Sequence, residues 1–446
     1  METEIMGSSD YKRSTELYKK AKTLFPYGTQ LFSRRPELGA FGYAPIYFQR
    51  MKNAHFWDVD GNEFIDTGMG VGPVILGYAY EKVDNAVKEQ IDKGVLGSIN
   101  NELEIKVAEA LIDMVPSAEM VKFCKSGGEA DAIAVRIARG YTGKEKVVFC
   151  GYHGWHDWYL AANLVSDSSL DQHLLPGLSP KGVPASLSGT CLPFEYNNLE
   201  QLENLLKNNK DEVACIIMEA TRFKQPKEGF LEGVRKLATE HNCLLIFDEV
   251  ITGFRLAKGG AQEYYGVTPD LSTFAKAIAN GYPLAAVVGR EDVMKSQADN
   301  FISSTYWSDT PSLAAGLATL SEIKNNPVTE KINEIGITLI SHINQMAEKH
   351  NLNVDVLGHG FDFTLNFNYG EESSKIMTLF IQEIIARGVY TNGVFYPCYT
   401  HTSEDIEKIK LAVDSAFELI IDGINRDKID ELLKAPVRQT GFKRLT

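Results

Sequence analysis

From Asp10 to Leu24 apolar positions recur at helical spacing, and Pro26-Tyr27-Gly28 ends that helix. Short apolar runs follow at Ile46-Tyr47-Phe48, His55-Phe56-Trp57 and Phe64-Ile65, with Asp60-Gly61-Asn62 before the last of them. Runs of this length around a turn predict a small antiparallel sheet. From Glu81 onward, helical patterns alternate with short, wholly apolar runs at Val213–Met218, Leu244–Phe247 and Leu284–Val288. Such strands have no polar face to offer water, so they predict a mainly parallel sheet covered by helices on both sides. That architecture binds ligands at the carboxyl ends of its strands. After Asn326-Pro327 come a long helical pattern at Val328–His350, apolar alternation at Phe361–Phe367, and further helices at Ser374–Arg387 and Ser403–Ile424. The division implied is an N-terminal segment at 1–75, a large α/β domain at 76–326 and a smaller α+β domain at 327–446. The first sheet has too few strands to stand alone, so it is expected to pack with the C-terminal domain.

A chain of 446 residues, 44% apolar and 23% charged, suits a packed globular protein rather than a disordered one. The net charge of −14, with no long basic run to offset it locally, argues against nucleic acid as a partner. A small phosphate-bearing molecule stays compatible with that charge, because a helix N-terminus sets the field at close range. The cysteines Cys124, Cys150, Cys191, Cys215, Cys243 and Cys398 are scattered and form no CxxC pair, which reads as reduced, buried thiols. Met1-Glu2-Thr3-Glu4 is acidic and lacks the order of a signal peptide, and no run reaches the ~18 apolar residues of a bilayer span. The expected address is the cytoplasm, without membrane attachment.

Three stretches could carry chemistry. Ser126-Gly127-Gly128-Glu129-Ala130 lies between an apolar run and a helical one, where backbone N–H groups can cradle an anion, although such turns are as often mere turns. Phe247-Asp248-Glu249-Val250-Ile251-Thr252-Gly253-Phe254-Arg255 brings two carboxylates out of an apolar strand, where each needs a partner or a path to solvent. A pyridinium nitrogen would suit Asp248. Lys276 stands alone among apolar and small residues, where desolvation frees an amine for nucleophilic work, although lone lysines more often snorkel to water. His153 and His156 flank Tyr152 without a metal-ligand pattern, so no metal is expected, and Arg222, Lys224 and Lys227 read first as a solvated loop.

Taken in order, these stretches resemble the class III pyridoxal-phosphate-dependent aminotransferases of fold type I, most nearly the branch that holds glutamate-1-semialdehyde 2,1-aminomutase. The likeness extends over Trp57 to Asn62 with Ile65-Asp66, Gly72 to Gly77, Ser126 to Ala130, Tyr152-His153-Gly154, Phe247 to Arg255 and the Lys276 segment, with the lysine 28 residues after Asp248. It implies a large domain built on a seven-stranded, mainly parallel sheet and a small α+β domain drawn from both termini. It also implies pyridoxal 5'-phosphate as cofactor, carried by Lys276 as a Schiff base. Asp248 would face the ring nitrogen, Val250 and Tyr152 the two ring faces, and Gly127 and Gly128 the phosphate. Thr305 would reach the phosphate of a neighbouring subunit, giving a homodimer with shared sites. Arg34 and Glu219 stand where substrate contacts are expected.

Departures from the pattern are informative. Gly128 replaces a hydroxyl residue of the phosphate turn, Glu219 is followed by Ala220 instead of proline, and Arg35 beside Arg34 offers a second arginine. The stretch Thr391 to Thr400 contains no acid, and Trp307-Ser308-Asp309 is bulkier than its counterpart in the aminomutase. The expected activity is transfer of an amino group from an amino-acid donor to a small carbonyl compound, anionic and sugar-derived acceptors included. Its rivals are an intramolecular aminomutase of the glutamate-1-semialdehyde type, a racemase and a catalytically silent cofactor-binding protein. A nicotinamide dehydrogenase lacks its fingerprint glycines here.

Overall fold

The computed structural model describes residues 8–174 and 176–441, so the N-terminal Met1 to Glu4 stretch lies outside the described residues. The chain divides into two compact units, one made of Gly72–Val74 with Glu81–Glu330, the other of the remaining N- and C-terminal residues.

The first unit is built on a seven-stranded sheet. Its strands, in spatial order, are Met120–Cys124, Ala285–Gly289, Leu271–Phe274, Leu244–Asp248, Val213–Met218, Lys146–Cys150 and Cys191–Pro193. All pairings are parallel except those of Ala285–Gly289, which runs antiparallel to both neighbours. Every residue of Val213–Met218 and Leu244–Asp248 is buried, which is why these segments read as unbroken apolar runs. The helix Gly127–Thr142 turns Ile133, Ala134, Ile137 and Ala138 inward, and they join the core with Phe149, Ile217 and Ile246. Ser126 caps that helix and Gly143, left-handed at φ 68°, ends it.

The second unit holds a four-stranded sheet in the order Phe48–Lys52, His55–Asp58, Glu63–Asp66, Val389–Tyr390, and a three-stranded sheet of Val354–His359, Asp362–Phe367 and Val394–Phe395. Val389–Tyr390 pairs with Ile65 and Asp66, so a C-terminal strand completes the N-terminal sheet. The helices Ser373–Ala386 and Ser403–Asn425 cover these strands through Leu379, Phe380, Ile384, Phe417 and Ile420. The first strand begins only at Phe48 and runs on through exposed Gln49 and Arg50, so the apolar run at Ile46 marks its approach and not its body. All six cysteines are free and buried. Among the described residues, no helix is long and apolar enough to cross a membrane.

Candidate active site

Asp248 ends its strand, and Lys276 lies three residues beyond Thr273, the residue paired with Asp248 across the neighbouring strand. The sheet register therefore delivers both to the same carboxyl edge, where parallel sheets bind ligands. Lys276 opens a short turn, Lys276–Ala279, with φ 47°, a left-handed backbone that a lysine rarely adopts. Strain of that kind persists only where the surrounding structure fixes it.

Asp248 is 4% exposed and has both oxygens engaged. Oδ1 accepts the Val250 N–H at 3.0 Å, and Oδ2 meets His153 Nδ1 at 2.8 Å. The other ring nitrogen of His153 lies 3.2 Å from the Cys150 carbonyl, which can only accept, so Nε2 carries a hydrogen. Asp131, on the helix Gly127–Thr142, completes this buried group, and ligand atoms of Asp131, His153 and Asp248 lie within 4.8 Å of one another. Thr273 donates to Asp131 at 2.6 Å. Burial first, and then the adjacent Asp248, raise the Asp131 carboxyl well above the usual range. Such spacing suits a metal in principle, but His153 directs both its nitrogens at protein oxygens.

The motif around Asp248 is otherwise structural. Glu249 is buried and accepts from the Thr252 hydroxyl, the Ala261 N–H at 2.8 Å and the Gln262 N–H at 3.0 Å. Arg255, fully buried, donates through Nε and Nη2 to the Gly72 carbonyl at 3.0 and 2.7 Å. These bonds satisfy the second carboxylate and the arginine without solvent or ligand.

Opposite lies the glycine turn. Gly127 and Gly128 open their helix, so their N–H groups have no partner within it. A Cβ on Gly127 would fall 2.9 Å from both methyls of Val250, so that side chain packs directly against the turn. A Cβ on Gly154, at φ +93°, would stand 2.7 Å from Gly128 Cα, which makes glycine obligatory there. His156 borders the same spot, 3.4 Å through Nδ1 from the place a Gly128 Cβ would take, and that nitrogen is buried with no hydrogen-bond partner.

Tyr152 is 38% exposed, and burial raises its phenol. Its backbone N–H donates to Glu219 Oε2 at 3.1 Å, and Glu219 Oε1 lies 3.6 Å from Arg222. Glu219 thus anchors the chain at Tyr152. Gly151, just before it, donates its N–H to His173 Nδ1 at 3.2 Å, and burial brings the His173 ring down to about 4.

Thr305 is exposed and begins the turn Thr305–Ser308. That turn is tied to the start of the helix Gly127–Thr142, since Trp307 donates to Glu129 at 3.0 Å and Lys125, just before the helix, pairs with Asp309. Arg34 belongs to the other unit and is exposed there, whereas Arg35 is buried and donates to Gln439 at 2.9 Å. The neighbouring arginine is therefore a structural one.

The structure gathers Asp248, Val250, Gly127, Gly128, Tyr152, Lys276 and Glu219 within one unit. Asp131 escapes a sequence reading because one acid on the inner stripe of a helix looks like a surface residue until its partners on other strands are known. The signal was its helical phase, since Ala130, Ile133 and Ala134 around it are all buried.

The class-III aminotransferase sequence profile matches residues 40–416. The chain is 36% identical to 3-aminobutyryl-CoA aminotransferase of Cloacimonas acidaminovorans, over 88% of this chain and 94% of that protein. It is 35% identical to glutamate-1-semialdehyde 2,1-aminomutase of Methanobrevibacter smithii, over 91% and 98% respectively. The solved FumI protein of Sphingopyxis sp. MTA144, in its PLP internal aldimine form, superposes with a TM-score of 0.84 at 24% identity, over 96% of this chain and 99% of that one.

Proposed function

The chain belongs to the class-III aminotransferases, pyridoxal-phosphate-dependent enzymes of fold type I, and we propose that it moves an amino group from an amino-acid donor to a separate small carbonyl compound. The observation that carries the amino-group chemistry is the sheet register that sets Lys276 and Asp248 on one strand edge.

The residues fit the cofactor. A helix N-terminus stripped of side chains at Gly127 and Gly128 suits its phosphate. A buried strand-end carboxylate at Asp248 suits its ring nitrogen, and Lys276 suits its aldehyde carbon. When bound, pyridoxal phosphate supplies an electron sink for charge left on the substrate carbon after a proton departs. The protein does the rest. Asp248, held by His153 and the Val250 N–H, would face the ring nitrogen, and Val250 and Tyr152 would confine the ring from its two faces. With a substrate amine in its place, Lys276 Nζ would take the proton from the carbon bearing the amino group and hand it to the carbon that bore the aldehyde, so that the nitrogen stays behind; the same relay reversed would protonate the acceptor carbon.

Likeness across the whole chain does not choose between transferase and mutase, since relatives of both kinds match almost equally. Transfer between two molecules is favoured by the stretch Thr391 to Thr400, which lacks any acid and whose Thr391, Phe395, Tyr396 and Cys398 are buried apolar or neutral groups. Arg34, exposed and not committed to a structural ion pair as Arg35 is, is the arginine proposed to recognise a substrate carboxylate.

We also read the protein as a cytoplasmic homodimer whose sites are shared through Thr305. Ile99 is 88% exposed and Phe301 86%, more than a lone water-facing surface favours. The loop carrying Ile99 adjoins the Thr305 turn, because the Thr310 N–H donates to the Val95 carbonyl at 2.9 Å.

The test is to load the enzyme with pyridoxamine phosphate and mix it with carbonyl compounds one at a time. Return of the pyridoxal absorbance with at least one 2-oxo acid or aldehyde is expected. Failure with every acceptor, beside turnover of glutamate-1-semialdehyde alone, would replace this reading with the mutase.

A further inference from the structure

We infer that His156 is a ligand of the cofactor phosphate, its Nδ1–H occupying the place that a hydroxyl side chain at position 128 would otherwise fill. The inference rests on the site reading above and adds a residue to it.

At Gly128 the helix Gly127–Thr142 presents a bare backbone, and what faces the missing side chain is an imidazole nitrogen. A Cβ there would lie 3.1 Å from Gly154 Cα and 3.4 Å from His156 Nδ1. That nitrogen is shut off from water and has no hydrogen-bond partner. Burying a polar atom without a partner is costly, and native proteins seldom do so away from a ligand. The ring is also held in place. It stacks on Trp155 with centroids 4.7 Å apart and planes 22° from parallel, and the His156 carbonyl accepts the Tyr159 and Leu160 N–H groups at 3.0 and 3.1 Å. The helix N-terminus supplies two N–H donors and the positive end of a dipole. A fixed donor beside it, with no other task, completes a site for an anion. Phosphate oxygens facing it only accept, so Nδ1 carries the hydrogen and Nε2 points away.

Apoprotein is titrated with pyridoxal phosphate and with pyridoxal, which lacks the phosphate, and the phosphorus-31 resonance of the bound cofactor is recorded. His156→Ala should weaken pyridoxal phosphate by about tenfold, leave pyridoxal unchanged and move the phosphorus resonance. Adding Gly128→Ser to that variant should recover most of the loss, because removing the imidazole makes room for a hydroxyl and Gly154 must give only slightly. If His156→Ala does not fold, His156→Phe keeps the stacking on Trp155, lacks the donor and is judged by the same ratio. A variant whose ratio of pyridoxal phosphate to pyridoxal affinity equals that of the wild type overturns the assignment. Wild-type protein that does not prefer the phosphorylated form would instead overturn the placement of the phosphate at Gly127 and Gly128.

Discussion

Asp248 and Asp131 are both buried aspartates on the same hydrogen-bonded group, yet they should respond very unequally to the same substitution. Asp248 is the carboxylate proposed to face the ring nitrogen, and with Asp248→Asn turnover should fall by on the order of 10²-fold or more. Asp131 sits in a dry pocket beside that charge, and two carboxylates so close cannot both ionise. Asn mimics a protonated acid, so Asp131→Asn should leave turnover within about a factor of ten. Steady-state rates of the two variants decide this, and comparable large losses would mean that Asp131 is ionised in the working enzyme. The sequence makes Asp248 legible because it closes an apolar strand where a charge needs a reason. It leaves Asp131, His153 and His156 obscure, because the bonds of the first two cross to residues distant in the chain and the third is notable only for lacking one.

At the scale of elements, the fully buried strands are the easiest to read, since Val213–Met218 and Leu244–Asp248 place nothing polar before the final carboxylate. Edge strands are harder. Phe48–Lys52 is mostly exposed and Val354–His359 alternates around Asp355 and Gly358, so neither carries a clear apolar signal. The segment Gly151–Gly154 has no regular structure, and its position depends on side chains from elsewhere, among them Glu219 and His173. His173 accepts the Gly151 N–H only while neutral. Its folded value, about 4, lies below the ordinary 6.5, so its stabilising bond is fully present above 6.5 and lost as pH falls towards 4. His173→Asn should therefore flatten the decline of thermal stability across that window relative to wild type. An unchanged slope would show that protonation of His173 does not govern the segment.

For the molecule as a whole, the proposed dimer would use the surface near the Thr305 turn, where Ile99, Phe301 and Tyr306 are 88, 86 and 66% exposed. The double variant Ile99→Asp with Phe301→Asp should sediment as a monomer and hold pyridoxal phosphate less tightly, because the partner subunit's Thr305 is then withdrawn. Wild-type protein that sediments as a monomer would contradict the shared site. The family and the fold are legible in the sequence because spaced motifs report the strand edge on which Lys276 and Asp248 meet. Whether the amino group passes to a second molecule is less so, since the stretch Thr391 to Thr400, on which the proposal of intermolecular transfer leans, bears no motif. The measurement that reaches it is the fate of nitrogen: holoenzyme is turned over with nitrogen-15 glutamate as donor and an accepting carbonyl compound. The label is predicted to appear in the aminated product, with 2-oxoglutarate formed in equal amount. Isomerisation of a single substrate with no donor present and no label taken up would contradict it.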